Sequence, residues 1–160
     1  MEAPYSLLTT EAEYRAACDT VFGLAQRELL VFDRNLARLQ IESRPRIAVL
    51  AAFLQGVAPR RLRIALHDPE PFTRDCPRLL QLVATHAHLV EVRQTPDNLR
   101  HLADTHVFAD DRHGVRRFHI DQPRSALIRD DPDYLHPWRQ RFEELWAQCL
   151  PCLRLNTTGL

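Results

Sequence analysis

Lysine is absent from this sequence; all 21 basic residues are arginine. Chemistry that depends on a lysine amine, such as a Schiff base or a phosphate-loop lysine, therefore cannot run on this chain alone. An excess of either charge is missing too, since 21 acidic residues balance the 21 basic ones. No global field draws the protein to nucleic acid or anionic lipid, so a polyanion would have to be held by a local patch. Long apolar runs are also lacking. The longest, IAVLAAFL at 47–54, falls far short of the roughly 20 residues of a membrane helix. The first residues, MEAPYSLLTT, carry neither the basic segment nor the apolar stretch of a secretion signal. A cytoplasmic protein is expected, with Cys18, Cys76, Cys149 and Cys152 reduced and filling the core. There are no internal repeats and no low-complexity linker, and nothing points to a cofactor. What is present is 160 residues, 45% hydrophobic and 26% charged, enough for one soluble domain over 1–160 with a core of its own.

Periodicity supplies the elements. Thr10 and Glu13 form a capping box, and apolar residues behind them at Tyr14, Cys18, Val21, Phe22, Ala25 and Leu29 predict an amphipathic helix of about five turns. LLVFD at 29–33 reads as a buried strand. Ser43 and Pro45 open a second helix through RIAVLAAFLQ, closed by Gly56. RLRIALHD is a strand ended by Pro69 and Pro71, and Asp75 is the expected cap of a third helix, CPRLLQLVATHA. HLVEVRQ is the next strand. HVFAD and VRRFHI are two more, joined by DRHG with Gly114 at the turn. A short strand is expected at SALI. Trp138, Phe142, Leu145, Trp146 and Cys149 share one face of a C-terminal helix. Helices alternate with strands and a hairpin follows, so the fold class is α/β, a mixed sheet flanked by helices.

Four groups of residues could carry chemistry. Six of the eight histidines lie between His86 and His119. His86 and His88 on one strand would point to one face, as paired metal ligands do. No recognised finger spacing accompanies them, so half-buried histidines at a strand edge are the simpler reading and no metal is expected. CLPC at 149–152 has redox spacing, but it follows a helix end, where the dipole opposes a thiolate. Cys76, just beyond Asp75, is better placed for activation yet has no local histidine. RRLR at 60–63 reads as a solvated strand edge. RHGVRR at 112–117 places Arg116 and Arg117 on opposite faces of a strand, so only one of them can join a central site.

The order of elements leads to HVFADD, then a hairpin, and closes on FEELWAQ at 142–148. Over about residues 11–148, with 149–160 as a tail, this resembles one half of the phospholipase D-like superfamily, whose halves end in a similar Phe-Glu-x-x-Trp helix. The resemblance implies a site built on an H-x-K-x-x-x-x-D motif running into a strand, with an Asn or Ser after the next strand. In that family the histidine attacks phosphorus, the lysine holds the phosphate oxygens, and the histidine of a second half protonates the leaving group. Laying VFAD on the motif's strand puts its aspartate at Asp110. The histidine position then falls on Ala103 and the lysine position on Thr105. Registers counted from His106 or His101 fail as well, and Ser125 is the nearby candidate for the Asn/Ser position.

The resemblance therefore implies a single-half, catalytically degenerate bacterial domain that pairs as a homodimer. The leading reading is a non-catalytic module keeping a pocket for a phosphate-bearing anion or a protein partner, formed by His101, His106, Asp110 and one of Arg116 and Arg117. The alternative is a residual phosphodiesterase with His106 or His101 as nucleophile and arginine replacing lysine. A metal-dependent hydrolase on the His86/His88 cluster is a third. The dimer is expected to pass its axis near His106 and Asp110. Of Val107 and Phe108, one is expected in the core and the other free to meet a neighbour.

Overall fold

A computed structural model describes residues 4–57 and 59–152; the last eight residues of the expected tail, 153–160, lie outside the described residues. Eight strands form one mixed sheet: β1 (Tyr5–Leu8), β2 (Glu28–Asp33), β3 (Arg61–Leu66), β4 (Val90–Gln94), β5 (Thr105–Ala109), β6 (His113–His119), β7 (Gln122–Ile128) and β8 (Leu150–Pro151). The helices are α1 (Glu11–Leu24), α2 (Arg44–Leu54), α3 (Glu70–Asp75), α4 (Pro77–Thr85) and α5 (Pro132–Gln148). The strand order is β1-β7-β6-β5-β2-β3-β4-β8. β2, β3 and β4 run parallel, and β5 returns antiparallel beside β2. The expected α/β class with a mixed sheet flanked by helices is the observed one. No helix among the described residues is long and apolar enough to cross a membrane.

The sheet is covered on both faces. Leu29 and Val31 of β2, Ile64 of β3 and Val107 of β5 meet α1, α2 and α4 in the larger core. Leu30, Phe32, Ala65 and Phe108 point the other way, onto Phe142, Leu145 and Trp146 of α5. A strand buried on both faces reads as a continuous apolar run, which is why LLVFD has no alternation. α5 is also held by guanidinium groups: Arg63 pairs with Glu143, Arg139 with Glu28 at 3.1 Å, and Arg141 with Asp104 at 2.6 Å.

The local rules held where the signal lay within a few residues. Thr10 and Glu13 do form the capping box of α1, although that helix stops at Leu24 because Ala25 is extended, leaving Leu29 to β2. Ser43 caps α2, its hydroxyl accepting the Arg46 N–H at 3.3 Å. Asp75 does not cap the next helix. It ends α3 and pairs with Arg74 at 3.0 Å, while the carboxylate of Glu42 takes the first amides of α4, Arg78 at 2.9 Å and Leu79 at 3.0 Å. The cap comes from a distant loop, so no local pattern reports it.

The hairpin also differs from expectation. Its turn is Asp110–Arg112, with Asp110 in the left-handed region at φ 56. Gly114 lies inside β6, opposite Phe108. A side chain there would drive its Cβ to 2.7 Å from the Phe108 ring and 3.2 Å from Leu135, so the glycine lets strand and α5 close over Phe108. β7 is longer than SALI and contains Pro123; β1 pairs only with Ser125–Ile128, and the β6–β7 ladder is irregular between Arg117 and His119. Proline is tolerated where a ladder bond is already missing. Gly114→Ala should lower stability by about 1–3 kcal/mol through overpacking, measured by denaturant unfolding; a change under about 0.5 kcal/mol would show that Phe108 and Leu135 relax freely.

Candidate functional site at the strand ends

The parallel strands β2, β3 and β4 end along one margin of the sheet, and β5, running the opposite way, begins there. Open α/β sheets bind ligands at the carboxyl ends of their strands where strand direction or order changes. Here a cavity of about 410 Å³ is lined by Arg34, His67, Asp68 and Arg100. Arg34 directly follows β2 and His67 directly follows β3. Both arginines are about half exposed. Arg34 pairs with Asp121 at 3.3 Å, and Arg38 lies 4.0 Å from the same carboxylate. Arg100 donates to the His67 carbonyl at 3.1 Å, which holds it over the cavity.

The His67 ring is engaged on both sides. A carbonyl can only accept, so Nε2 donates to the Leu102 oxygen at 2.8 Å. Nδ1 must then accept from the Thr95 hydroxyl at 2.6 Å. Burial, with the charges of Arg100 and Arg34, lowers its pKa, so the ring is neutral at pH 7. It is a positioned wall of the cavity with no free lone pair for attack.

Beneath this margin lies a buried polar row. Thr105 on β5 pairs with Arg117 on β6, which pairs with Ser125 on β7. Asp33 lies one rung beyond the Phe32–His106 pair of β2 and β5. Asp33, Thr105, Arg117 and Ser125 are all buried. Arg117 forms a bidentate pair with Glu11 at the start of α1 and lies 4.7 Å over the Tyr14 ring. One Asp33 oxygen accepts the Arg34 N–H at 2.6 Å and faces Asn35 at 3.4 Å, while the other has no partner. Burial pushes the Asp33 carboxyl up to about 6, against the backbone donors and Arg117 that favour its ionised form.

The expected site residues do not assemble. His106 is 2% exposed and stacks on Phe108 at 3.8 Å with Phe32 and Phe142 around it. Neither ring nitrogen has a partner, and burial pushes its pKa down to about 3. Nearby, burial opposes ionisation of Asp104, but the Arg141 hydrogen bonds override it and hold the carboxyl below its usual range. Asp110 follows the end of β5, four residues on from His106 and about 13 Å away by strand rise. Its carboxylate takes the amides of Arg27 at 2.8 Å and Glu28 at 3.0 Å, closing the start of β2 at the opposite margin. His101 is exposed in a turn. Arg116 and Arg117 do face opposite sides: Arg116 donates to the Tyr134 hydroxyl at 2.9 Å and lies 3.4 Å from the Trp138 ring, away from Arg117 and α1. His106, Asp110 and an arginine therefore share no pocket.

The other sequence candidates lie elsewhere in the fold. His86 is the C-cap of α4 and His88 lies in the following turn, so they are not a strand pair. Among the described residues no group of three or more His, Cys, Asp or Glu side chains is placed to hold a metal. RRLR is no solvated edge, because β3 is an inner strand and Arg63 is buried on Glu28 and Glu143. Cys149 packs in the α5-side core and Cys152 in the opposite one, so CLPC straddles the sheet rim. Cys76 is half-buried and its thiol is raised by burial and then by Glu42 and Asp75, which opposes activation. Val107 and Phe108 are both buried, one in each core, so neither is free to meet a neighbour.

Comparison with known proteins places the chain. It belongs to the family described as Domain of unknown function (DUF7931), whose model matches residues 10–157. No curated protein matches the sequence. Among solved structures it is similar to Nuc from Salmonella typhimurium, a phospholipase D family member, with a TM-score of 0.62 at 12% identity over 92% of this chain and 97% of that one. NucT from Helicobacter pylori matches with a TM-score of 0.53 at 11% identity, over 92% and 98% of the two chains. TrmBL2, an archaeal chromatin protein described with a novel mode of DNA binding, gives 0.68 at 11% identity over 93% of this chain and 54% of that one. The chain thus spans nearly the whole of Nuc and about half of TrmBL2. At these identities the likeness is one of fold, and the fold is phospholipase D-like.

The residues that line the cavity, Arg34, His67 and Arg100, were not among the sequence candidates. The signal that could have found Arg34 and His67 is positional: RN and HDP directly follow the apolar strands ending at Asp33 and Leu66. Asp33 supplies a test of the buried row. Its folded pKa is raised, so its contribution to stability is full below about pH 4 and is lost as pH rises through about 6. The loss is on the order of 3 kcal/mol. Asp33→Asn keeps an acceptor for the Arg34 amide and cannot ionise. Between pH 4 and 7 the variant's stability should fall less than that of the wild type, measured by urea unfolding; parallel profiles would place Asp33 outside the buried row's electrostatics.

Proposed function

We propose that this protein is a non-catalytic phospholipase D-like module that holds a phosphate-bearing anion in the strand-end cavity between Arg34 and Arg100. The observation that carries the reading is at the start of β5. Ala103 and Thr105 occupy the positions that the family resemblance assigns to the attacking histidine and the phosphate-holding lysine. Neither side chain can do that chemistry, and the chain has no lysine to recruit from elsewhere. Two guanidinium groups nevertheless remain at the same margin, and their planar forks suit phosphate oxygens. An incoming anion would compete with Asp121 for Arg34, which makes binding sensitive to salt. That TrmBL2 is a DNA-binding chromatin protein supports a phosphate-bearing ligand as the class.

A residual phosphodiesterase using His106 or His101 is the competing reading. It is disfavoured because His106 is enclosed by three aromatic rings, while His101 is exposed with the required lysine position filled by Ala103. A metal-dependent hydrolase loses its premise with the strand pair His86/His88. A homodimer and a cytoplasmic setting, with the four cysteines as free thiols, belong to the same proposal, but Val107 and Phe108 cannot supply the dimer surface.

Titration with inorganic phosphate, followed by nuclear magnetic resonance of the arginine side chains, tests the reading. Arg34→Gln and Arg100→Gln should each weaken binding about tenfold, the value of one charge-assisted hydrogen bond. Arg112→Gln, at the opposite margin, should leave it unchanged. No turnover of a chromogenic phosphodiester should accompany binding. Turnover abolished by His106→Ala or His101→Ala, or phosphate binding indifferent to both cavity arginines, would contradict the proposal.

A further inference from the structure

We infer that β1 is the seat of a two-fold dimer, in which the Tyr5–Leu8 strands of two copies pair antiparallel across their outer edges. This rests on the dimeric part of the function proposed above and gives it a surface. The sheet has two edges, and they are built differently. β8 is two residues long and contains Pro151, which has no N–H to offer. β1 is four residues, Tyr-Ser-Leu-Leu, with an unbroken register against β7 and no other strand on its outer side among the described residues. Soluble proteins blunt such edges with charge, proline or a bulge. β1 has none of the three.

The side chains add a second observation. Tyr5 and Leu7 are 42% and 50% exposed on the same side of the strand. Tyr5 lies edge-on to Tyr134 of α5, ring centroids 5.6 Å apart. Close by, Arg116 bonds the Tyr134 hydroxyl and covers Trp138. Tyrosine, tryptophan and arginine are the residue types enriched at interface hot spots.

Symmetry then selects a second copy as the occupant. Residues directly opposed across an antiparallel pair point to the same face. About a two-fold axis perpendicular to the sheet, residue 5 can therefore face residue 7, but not residue 8. With Ser6 opposite the Ser6 of the second copy, each Tyr5 meets the other copy's Leu7 on the α5 side. Both exposed apolar residues gain a partner and serine meets serine, so the strand is self-complementary, as a two-fold interface requires. Four strand residues bury less than the roughly 800 Å² per partner of a standard interface. The first turns of α5, with Tyr134 and Trp138, must complete the contact.

The test is light scattering over a wide concentration range for the wild type, Leu7→Lys and Leu150→Lys, with melting curves for each. The wild type and Leu150→Lys should dimerise, and Leu7→Lys should stay monomeric with its fold intact. A wild type that is monomeric throughout would overturn both the dimer and this surface. A dimer retained equally in all three would overturn the β1 surface while leaving dimerisation standing. Amide exchange of residues 5–8 in the wild type needs no variant: protection that rises with concentration supports β1 pairing, and protection independent of concentration contradicts it. Phosphate binding at Arg34 and Arg100 is read separately, so the anion proposal and the dimer surface can fail independently.

Discussion

All five residues of β5 are buried, because α1 covers one face of the sheet and α5 the other. This constraint shapes everything around the margin where β5 begins. A polar side chain on β5 must find its partners inside the protein or go without. His106 goes without and is held neutral by its aromatic neighbours. Thr105 sits beside Arg117, whose charge is met by Glu11 from α1. β5 therefore presents none of its side chains to solvent. Exposed charge at this margin is carried instead by the segments that follow β2 and β4, where Arg34 and Arg100 reach solvent.

The missing lysines have a structural counterpart. Arginine carries its charge on a flat, weakly hydrated group that stacks on rings while donating in its own plane. α5 is docked in that way: Arg63 lies 5.3 Å from the Phe142 ring, Arg93 4.3 Å from Trp146, and Arg116 3.4 Å from Trp138. Each of these cations also meets an oxygen, of Glu143, the Trp146 carbonyl and the Tyr134 hydroxyl respectively. A lysine at these positions could supply the charge but not the stacked plane. The α5 face is therefore a mixed layer of rings and guanidinium groups.

Much of this fold is legible in the sequence, and the boundary between what is and is not legible has a physical cause. The capping box at Thr10 and Glu13, the run LLVFD, the apolar face from Phe142 to Cys149 and the opposed directions of Arg116 and Arg117 are set by neighbours a few residues apart. The cap of α4 is not, since Glu42 reaches it from another loop. Gly114 looks like a turn residue but is required by a ring across the ladder. The candidate site was the least legible part. His106 and Asp110 lie close in sequence, and strand geometry sends one into an aromatic box and the other to the far margin. Arg34, His67 and Arg100 are scattered in sequence and are gathered only by the parallel order of β2, β3 and β4.

The central claim is that the anion site lies in the strand-end cavity and no longer at the head of β5. A crystal structure grown in phosphate tests it most directly. The account predicts phosphate between the Arg34 and Arg100 guanidinium groups, with His67 still bonded to Thr95 and Leu102. Phosphate held instead by His106 or His101 at the start of β5 would contradict it.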